Sequence, residues 1–330
     1  MEENGVPTVC LSHGDLDGIT SGALGLLAFP GSDFYFTRPS QIHQDLYRIA
    51  KDKPESVLVS DIAVNESRLN DILRAISRFP DESKVIWVDH HPLGAAYKRK
   101  LAQKIEFVHE IGHCAAELVY RRFEQSLPEN ALRLALYGAI GDYCDSTPFA
   151  KTHLDDFDKR TLYLEAGLLV QALQEIDYRR ESKDLVRQLS LGVEPSSMND
   201  IVTLAIKATR IEHEVFRYVS KNARKMGPIG YVLDMPIGGY RGKSAKFAAY
   251  VTDSKVGISA RSTDDDEVDI SMRIRRSSVN LNQALNKVLS GIPGAHGGGH
   301  PAAAGASMSK VSFPKFLQEL AEFVNRASKS

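Results

Sequence analysis

Four short β-rich runs in the first half of the chain, Thr8 to Ser12, Asp33 to Thr37, Ser56 to Ser60 and Lys84 to Val88, alternate with amphipathic helical stretches, and three of them end directly in acid or histidine. Such alternation is the pattern of a parallel sheet with helices on its faces. His13, Asp15 and Asp17 follow the first run, Asp61 the third, and Asp89, His90 and His91 the fourth; Asp142 follows a helix expected over Glu129 to Ile140. In an open α/β sheet the carboxyl ends of parallel strands share one edge, so residues far apart in sequence converge there. The pattern therefore predicts an α/β fold with one site fed by several segments.

At 330 residues the chain exceeds the usual size of one domain. Residues 1–155 read as the α/β domain just described. From about Phe157 to Lys225 the pattern turns helical and heavily charged, with LEAGLLVQALQEI and IVTLAIKATRIEHEVFRYVSKNARKM as its clearest periodic segments, so 156–225 is read as a helical interdomain region. Residues 226–330 return to mixed α/β as a smaller second domain. Strands are expected at Ile229 to Leu233, Val256 to Ala260 and Asp269 to Ile274, then a helix from Asn280, a glycine-rich loop opening a helix near Pro301, and a closing helix from Phe313 to Ala327. Asp264, Asp265, Asp266 and Glu267 are read as a solvated hairpin turn.

Three scattered cysteines, Cys10, Cys114 and Cys144, are too few for a disulfide framework and point to a reducing, cytoplasmic compartment. The acidic N-terminus, MEENGVPTVCLSHGD, is unlike a signal peptide. No apolar run approaches the roughly 18 to 20 residues of a membrane span, so neither export nor membrane insertion is expected. The formal net charge of −1 offers no strong attraction for a long polyphosphate backbone and suits a short anionic substrate.

Divalent cations that activate water need hard oxygen ligands, and added imidazole biases a site toward Mn²⁺ over Ca²⁺. In SHGDLDG, His13, Asp15 and Asp17 alternate along a segment expected to be extended, while Gly14 and Gly18 allow a tight turn. Two ions about 3.5 to 4 Å apart can share a nucleophilic water and clamp phosphoryl oxygens. Taken singly, Asp17 before GITSGALGLLAF and Asp61 before AVNESRLNDIL read equally well as helix N-caps. Capping explains neither the Asp89, His90, His91 cluster nor the repeated placement of acids at strand ends, and acids at such density repel one another without cations.

SHGDLDGITS, LVSDIAVN, VIWVDHHPLG and YGAIGDYCD, in this order, resemble the four motifs of the DHH phosphoesterase superfamily, and ISMRIRRS with GAHGGGHPAAAGAS resembles its DHH-associated domain. The resemblance implies one metal held by His13, Asp15 and Asp61 and a second by Asp17, Asp61, His90 and Asp142, with Mn²⁺ expected and Mg²⁺ as the alternative. Asp145 competes with Asp142 for the fourth motif. Asp89 would orient a histidine and His91 would face the phosphoryl group; no Ser or Cys nucleophile is required, and Cys144 is read as packing. Gly298, Gly299 and His300 would hold the substrate phosphate together with Arg273, for which Arg261 and Arg275 are alternatives.

The implied activity is hydrolysis of short RNA or DNA oligonucleotides, or of linear dinucleotides, to mononucleotides; a homodimer is compatible with it. The immediate Asp-x-Asp-Gly spacing lies closer to the RecJ-like single-strand exonucleases, which stand as one alternative. A polyphosphatase or pyrophosphatase is another, although the tail motif has few lysines. A noncatalytic replication scaffold should have lost ligands, whereas all the matched positions carry Asp or His.

Overall fold

A computed structural model describes residues 8–176, 181–263, 265–299 and 301–327. The chain divides into two compact units, Met1–Ala208 and Thr209–Ser330.

In the first unit β1 (Val9–Ser12), β2 (Asp33–Phe36), β3 (Ser56–Ser60), β4 (Lys84–Asp89) and β5 (Glu106–His109) form an all-parallel sheet in the order β2-β1-β3-β4-β5. Strands buried on both faces must be apolar throughout, which is how VCLS, SVLVS and KVIWVD read. One face carries α1 (Leu16–Ala28), with α2 (Ile42–Ile49), α3 (Leu69–Ile76) and α4 (Ala95–Ala102) contributing to the chain between strands. After β5 come α5 (Ala115–Phe123), α6 (Leu132–Gly141), α7 (Pro148–Leu154), α8 (Lys159–Ala172) and α9 (Glu181–Ser190). Two apolar clusters result: one joins α1, α5, α6, α8 and α9 to one side of the sheet, and the other joins α2 and α3 to the side bearing Val57, Val59 and Trp87. Trp87 is fully buried and its indole N–H donates to the Ile62 carbonyl at 3.0 Å, fixing the chain that leaves β3 against β4. In this strand order the chain reverses direction of travel between β1 and β3, and the crevice at their carboxyl ends is the expected place for a ligand.

The unit boundary falls within α10 (Asn199–Asn222). Beyond it β6 (Arg224–Met226), β7 (Ile229–Leu233), α11 (Arg241–Val251), β8 (Val256–Ser262), β9 (Glu267–Ile274), α12 (Leu281–Leu289), β10 (His296–Gly299), β11 (Ala303–Ser309) and α13 (Phe313–Ala327) follow. Their sheet runs β10-β11-β9-β8-β7-β6, with only β7 and β8 parallel. The glycine-rich run differs from its expected form. It opens no helix near Pro301; it is β10, which pairs with β11 as a hairpin, His296 against Ser307 through Gly299 against Ala304. A Cβ on Gly297 would lie 2.5 Å from the Gly305 carbonyl oxygen, so glycine is what lets the two strands meet. No helix among the described residues is long and apolar enough to cross a membrane.

Candidate metal centre

All eight acids and histidines singled out in the first half of the chain lie at the carboxyl ends of β1, β3 and β4 or at the end of α6. Contrary to expectation, the segment after β1 is not extended over His13 to Asp17. It turns into α1 at Leu16 because the Asp15 side chain accepts from Gly18 N at 3.1 Å and caps the helix. Gly18 is required there by close approach, since a Cβ would lie 2.3 Å from the His13 carbonyl oxygen.

Asp17 therefore caps nothing in its own helix. Its buried carboxylate accepts from the amides of Ala115 at 2.7 Å and Ala116 at 2.8 Å, at the start of α5. Those donors and the positive end of the helix favour a carboxylate at this spot. Even so, burial, and beyond it the nearby charges of Asp15 and Asp142, push the Asp17 carboxyl up to about 7.

Asp61 is likewise no cap; Asn65 caps the short helical turn that follows. Asp61 sits at φ 55, with its amide donating to the Val88 carbonyl at 3.0 Å. Its carboxyl is buried and raised well above the ordinary range by burial and by the charges of Asp15 and Asp17. Among the described residues its Oδ2 has no hydrogen-bond partner, and Asp89 Oδ2 is in the same condition. Buried carboxylate oxygens without a donor are uncommon and call for an ion or a proton.

The histidines complete the constellation. His13 Nδ1 lies 3.0 Å from Asp15 Oδ2 and 3.8 Å from Asp61 Oδ2. His90 Nε2 is 3.3 Å from Asp61 Oδ1 and 3.7 Å from Asp17 Oδ2, while its Nδ1 is 3.7 Å from Asp142 Oδ2. Burial and then the neighbouring His91 hold the His90 pKa low, which favours the neutral imidazole that can ligate. Burial alone would also lower His91, but its Nδ1 donates to Asp89 Oδ1 at 2.8 Å and that carboxylate raises it instead. Asp89 thus orients His91, not His90.

Among the described residues donor atoms converge in three groups: His13, Asp15 and Asp61; Asp17, His90 and Asp142; and Asp61, Asp89, His90 and His91. The first two, with Asp61 shared, are the donor sets expected for two cations, and hard oxygens with two imidazoles suit Mn²⁺ or Mg²⁺. Asp145, the competing acid, accepts from the Tyr163 hydroxyl at 2.5 Å and belongs to none of the groups. Cys144 packs against the core with its Sγ 3.7 Å from Asp142 Oδ2.

Three supports escaped the sequence reading. His109, opposite Asp89 in the β4–β5 register, has Nε2 2.7 Å from the His91 carbonyl oxygen. The Lys98 ammonium, which can only donate, reaches His109 Nδ1 at 3.4 Å and the His109 carbonyl at 2.9 Å. His109 therefore carries its proton on Nε2 and donates to His91. Glu117, fully buried, accepts from Thr147 Oγ1 at 2.9 Å and pairs with His113 Nδ1 at 2.7 Å, tying α5 to the start of α7 beyond the Asp142 turn. Finally, α6 ends in a Schellman turn: Cys144 N donates to the Ala139 carbonyl at 2.8 Å and Tyr143, at φ 57, fills the left-handed position. The spacing of His113 and Glu117, four residues apart, is the only sequence trace of the second support, and the others leave none.

In the second unit Arg273 lies at the end of β9, with Nη1 donating to the Met272 carbonyl at 2.9 Å. Gly298 and Gly299 lie on β10, two strands away across β11, where Ala303 stands opposite Arg273 and Ala304 opposite Gly299. Arg275 is engaged with Asp253 at 2.8 Å, and Arg261 is exposed opposite Asp269. His300 lies outside the described residues.

The family model of the DHHA1 domain matches residues 235–326. No curated protein matches the chain. Among solved structures, a DHH-domain protein described as a member of a family of ribosomal proteins superposes with a TM-score of 0.75 at 15% identity, over 98% of this chain and 87% of its own. A pGpG-specific phosphodiesterase from Vibrio cholerae gives 0.61 at 13% identity, covering 97% and 99%. RecJ from Thermus thermophilus in complex with Mn²⁺ gives 0.63 at 15% identity, covering 97% of this chain, which spans 52% of RecJ. Residues 235–326 thus match the DHHA1 family model, and the chain shares the fold of these structures.

Proposed function

We propose that the chain is a metal-dependent phosphodiesterase that hydrolyses short RNA or DNA oligonucleotides or linear dinucleotides to mononucleotides, with Mn²⁺ as its working ion. The observation that carries this reading is the pair of donor sets, His13, Asp15, Asp61 and Asp17, His90, Asp142, meeting at buried Asp61, whose Oδ2 has no hydrogen-bond partner among the described residues. Two cations bound there would supply positive charge that eases deprotonation of water and neutralises phosphoryl oxygens. His91, held toward its protonated form by Asp89, presents a hydrogen-bond donor to a phosphoryl oxygen. Lys98 and His109 fix the turn that carries it. In the reaction water's oxygen forms a bond to phosphorus, the ester P–O bond breaks, and the departing oxygen takes up a proton.

The DHH fold shared with a pGpG-specific phosphodiesterase supports a dinucleotide or a short oligonucleotide as substrate. In this reading the first unit carries the cleaving residues, and Arg273, Gly298, Gly299 and His300 of the second bind phosphate. The test is Mn²⁺-dependent hydrolysis of end-labelled RNA and DNA from two to about twenty-four nucleotides, beside inorganic polyphosphate, with Asp61→Ala as control. Stepwise mononucleotide release that fades with length is expected. Efficient digestion of the long strands would assign it to RecJ-like exonucleases, and cleavage of polyphosphate alone would overturn the proposal.

A further inference from the structure

The left-handed position that closes a Schellman turn is normally glycine, because a Cβ is strained there. At the end of α6 it is Tyr143. The remaining non-glycine residues at positive φ among those described are Asp, Lys or Arg, and aspartate tolerates this conformation far better than a bulky aromatic does. Burial does not offset the strain, since 80% of the Tyr143 surface is exposed. Nor is the position remote: the preceding residue is Asp142, whose carboxylate shares a donor group with Asp17 and His90. Strain retained beside a reacting centre points to a function for the side chain that causes it.

We infer that Tyr143 is a stacking platform for the nucleobase next to the scissile phosphate. This rests on the phosphodiesterase reading above and deepens it by naming the substrate feature that is recognised. An exposed phenol ring offers a flat apolar face that bases of any identity can cover, and such contacts give affinity without sequence preference. Inorganic polyphosphate has no corresponding face.

The experiment compares wild type, Tyr143→Gly, Tyr143→Phe and Tyr143→Trp in Mn²⁺ on pApA and on the same dinucleotide lacking both bases. Glycine relieves the backbone strain, so Tyr143→Gly should melt roughly 2–4 °C higher. It should nevertheless lower the ratio of kcat/KM for pApA over the abasic compound by roughly 5- to 100-fold, while Phe and Trp preserve the ratio. A ratio unchanged in Tyr143→Gly overturns the inference, as does an equal loss on both compounds, which would mean only that Asp142 had moved. Wild type that discriminates between the two compounds by nothing refutes the inference and leaves the phosphodiesterase reading standing. Wild type that cleaves neither brings down both.

Discussion

Stripped of divalent cations, the protein should become less stable as the pH rises from about 5 to about 7.5, the opposite of ordinary acid denaturation. Asp17 sets the effect. Burial, first among the causes, and the charges of Asp15 and Asp142 push its carboxyl from 3.8 to about 7. The folded chain therefore keeps a proton that the unfolded chain releases. Below about pH 4 both states hold the proton and nothing is lost; stability falls between the two pKa values and levels off above the folded one. At ~1.4 kcal/mol per pKa unit, the Asp17 share of this loss is ~4 kcal/mol in full, of which roughly 2–3 kcal/mol falls between about pH 5 and pH 7.5. Asp61, raised for the same reason, adds to it in the same direction. Cations bound at the proposed site would pair with both carboxylates in their ionised form and should abolish the loss. Urea melts at a series of pH values in EDTA and in MnCl₂ measure it. Asp17→Asn in EDTA isolates the share of this one residue, because the amide keeps an acceptor for one of the two α5 donors without the charge. Stability that holds or rises with pH in EDTA would refute the reasoning, and so would an Asp17→Asn variant retaining the full slope.

Asp61→Asn should reduce Mn²⁺-dependent hydrolysis by more than about 100-fold while leaving the metal-free protein no less stable, a combination read by turnover assays and melts in EDTA. His109→Leu strands the His91 carbonyl without its donor and should destabilise by about 1–3 kcal/mol and lower kcat more than it raises KM, whereas His109→Gln, with a side-chain N–H, should recover most of kcat; equal kcat in both variants would contradict a positioning role. Gly299→Ala places a Cβ 2.6 Å from the Ala303 carbonyl oxygen at a residue with φ 150, so the hairpin must shift. Its expected signature is a raised KM with Mn²⁺ affinity at the first unit unchanged, measured by steady-state kinetics beside isothermal titration.

Much of the first unit was legible because its strands are apolar runs that end in chemistry. Ser56 to Ser60 was placed to the residue, and the acids that follow the strands do converge. Local reading failed where a long-range partner decides the conformation. EFVH of β5 is too short and too polar to declare itself, yet it carries His109 into contact with the histidine turn. Taken singly, Asp17 reads equally well as a helix cap and as a ligand, because the amides it accepts from belong to residues almost a hundred positions later. GAHGGG read as an anion-binding loop because glycine permits many conformations, and only pairing with β11 makes it a strand.

The donors for the proposed ions are scattered from His13 to Asp142, delivered by three strands and a helix end. No early stretch of the polypeptide holds a complete set, and the amides that seat Asp17 arrive with α5. A chain emerging from the ribosome can therefore expose His13 and Asp15 long before it can retain an ion between them. Capture of the cations becomes a late event that reports completion of the whole α/β layer, and a truncated or misthreaded product stays empty and inactive.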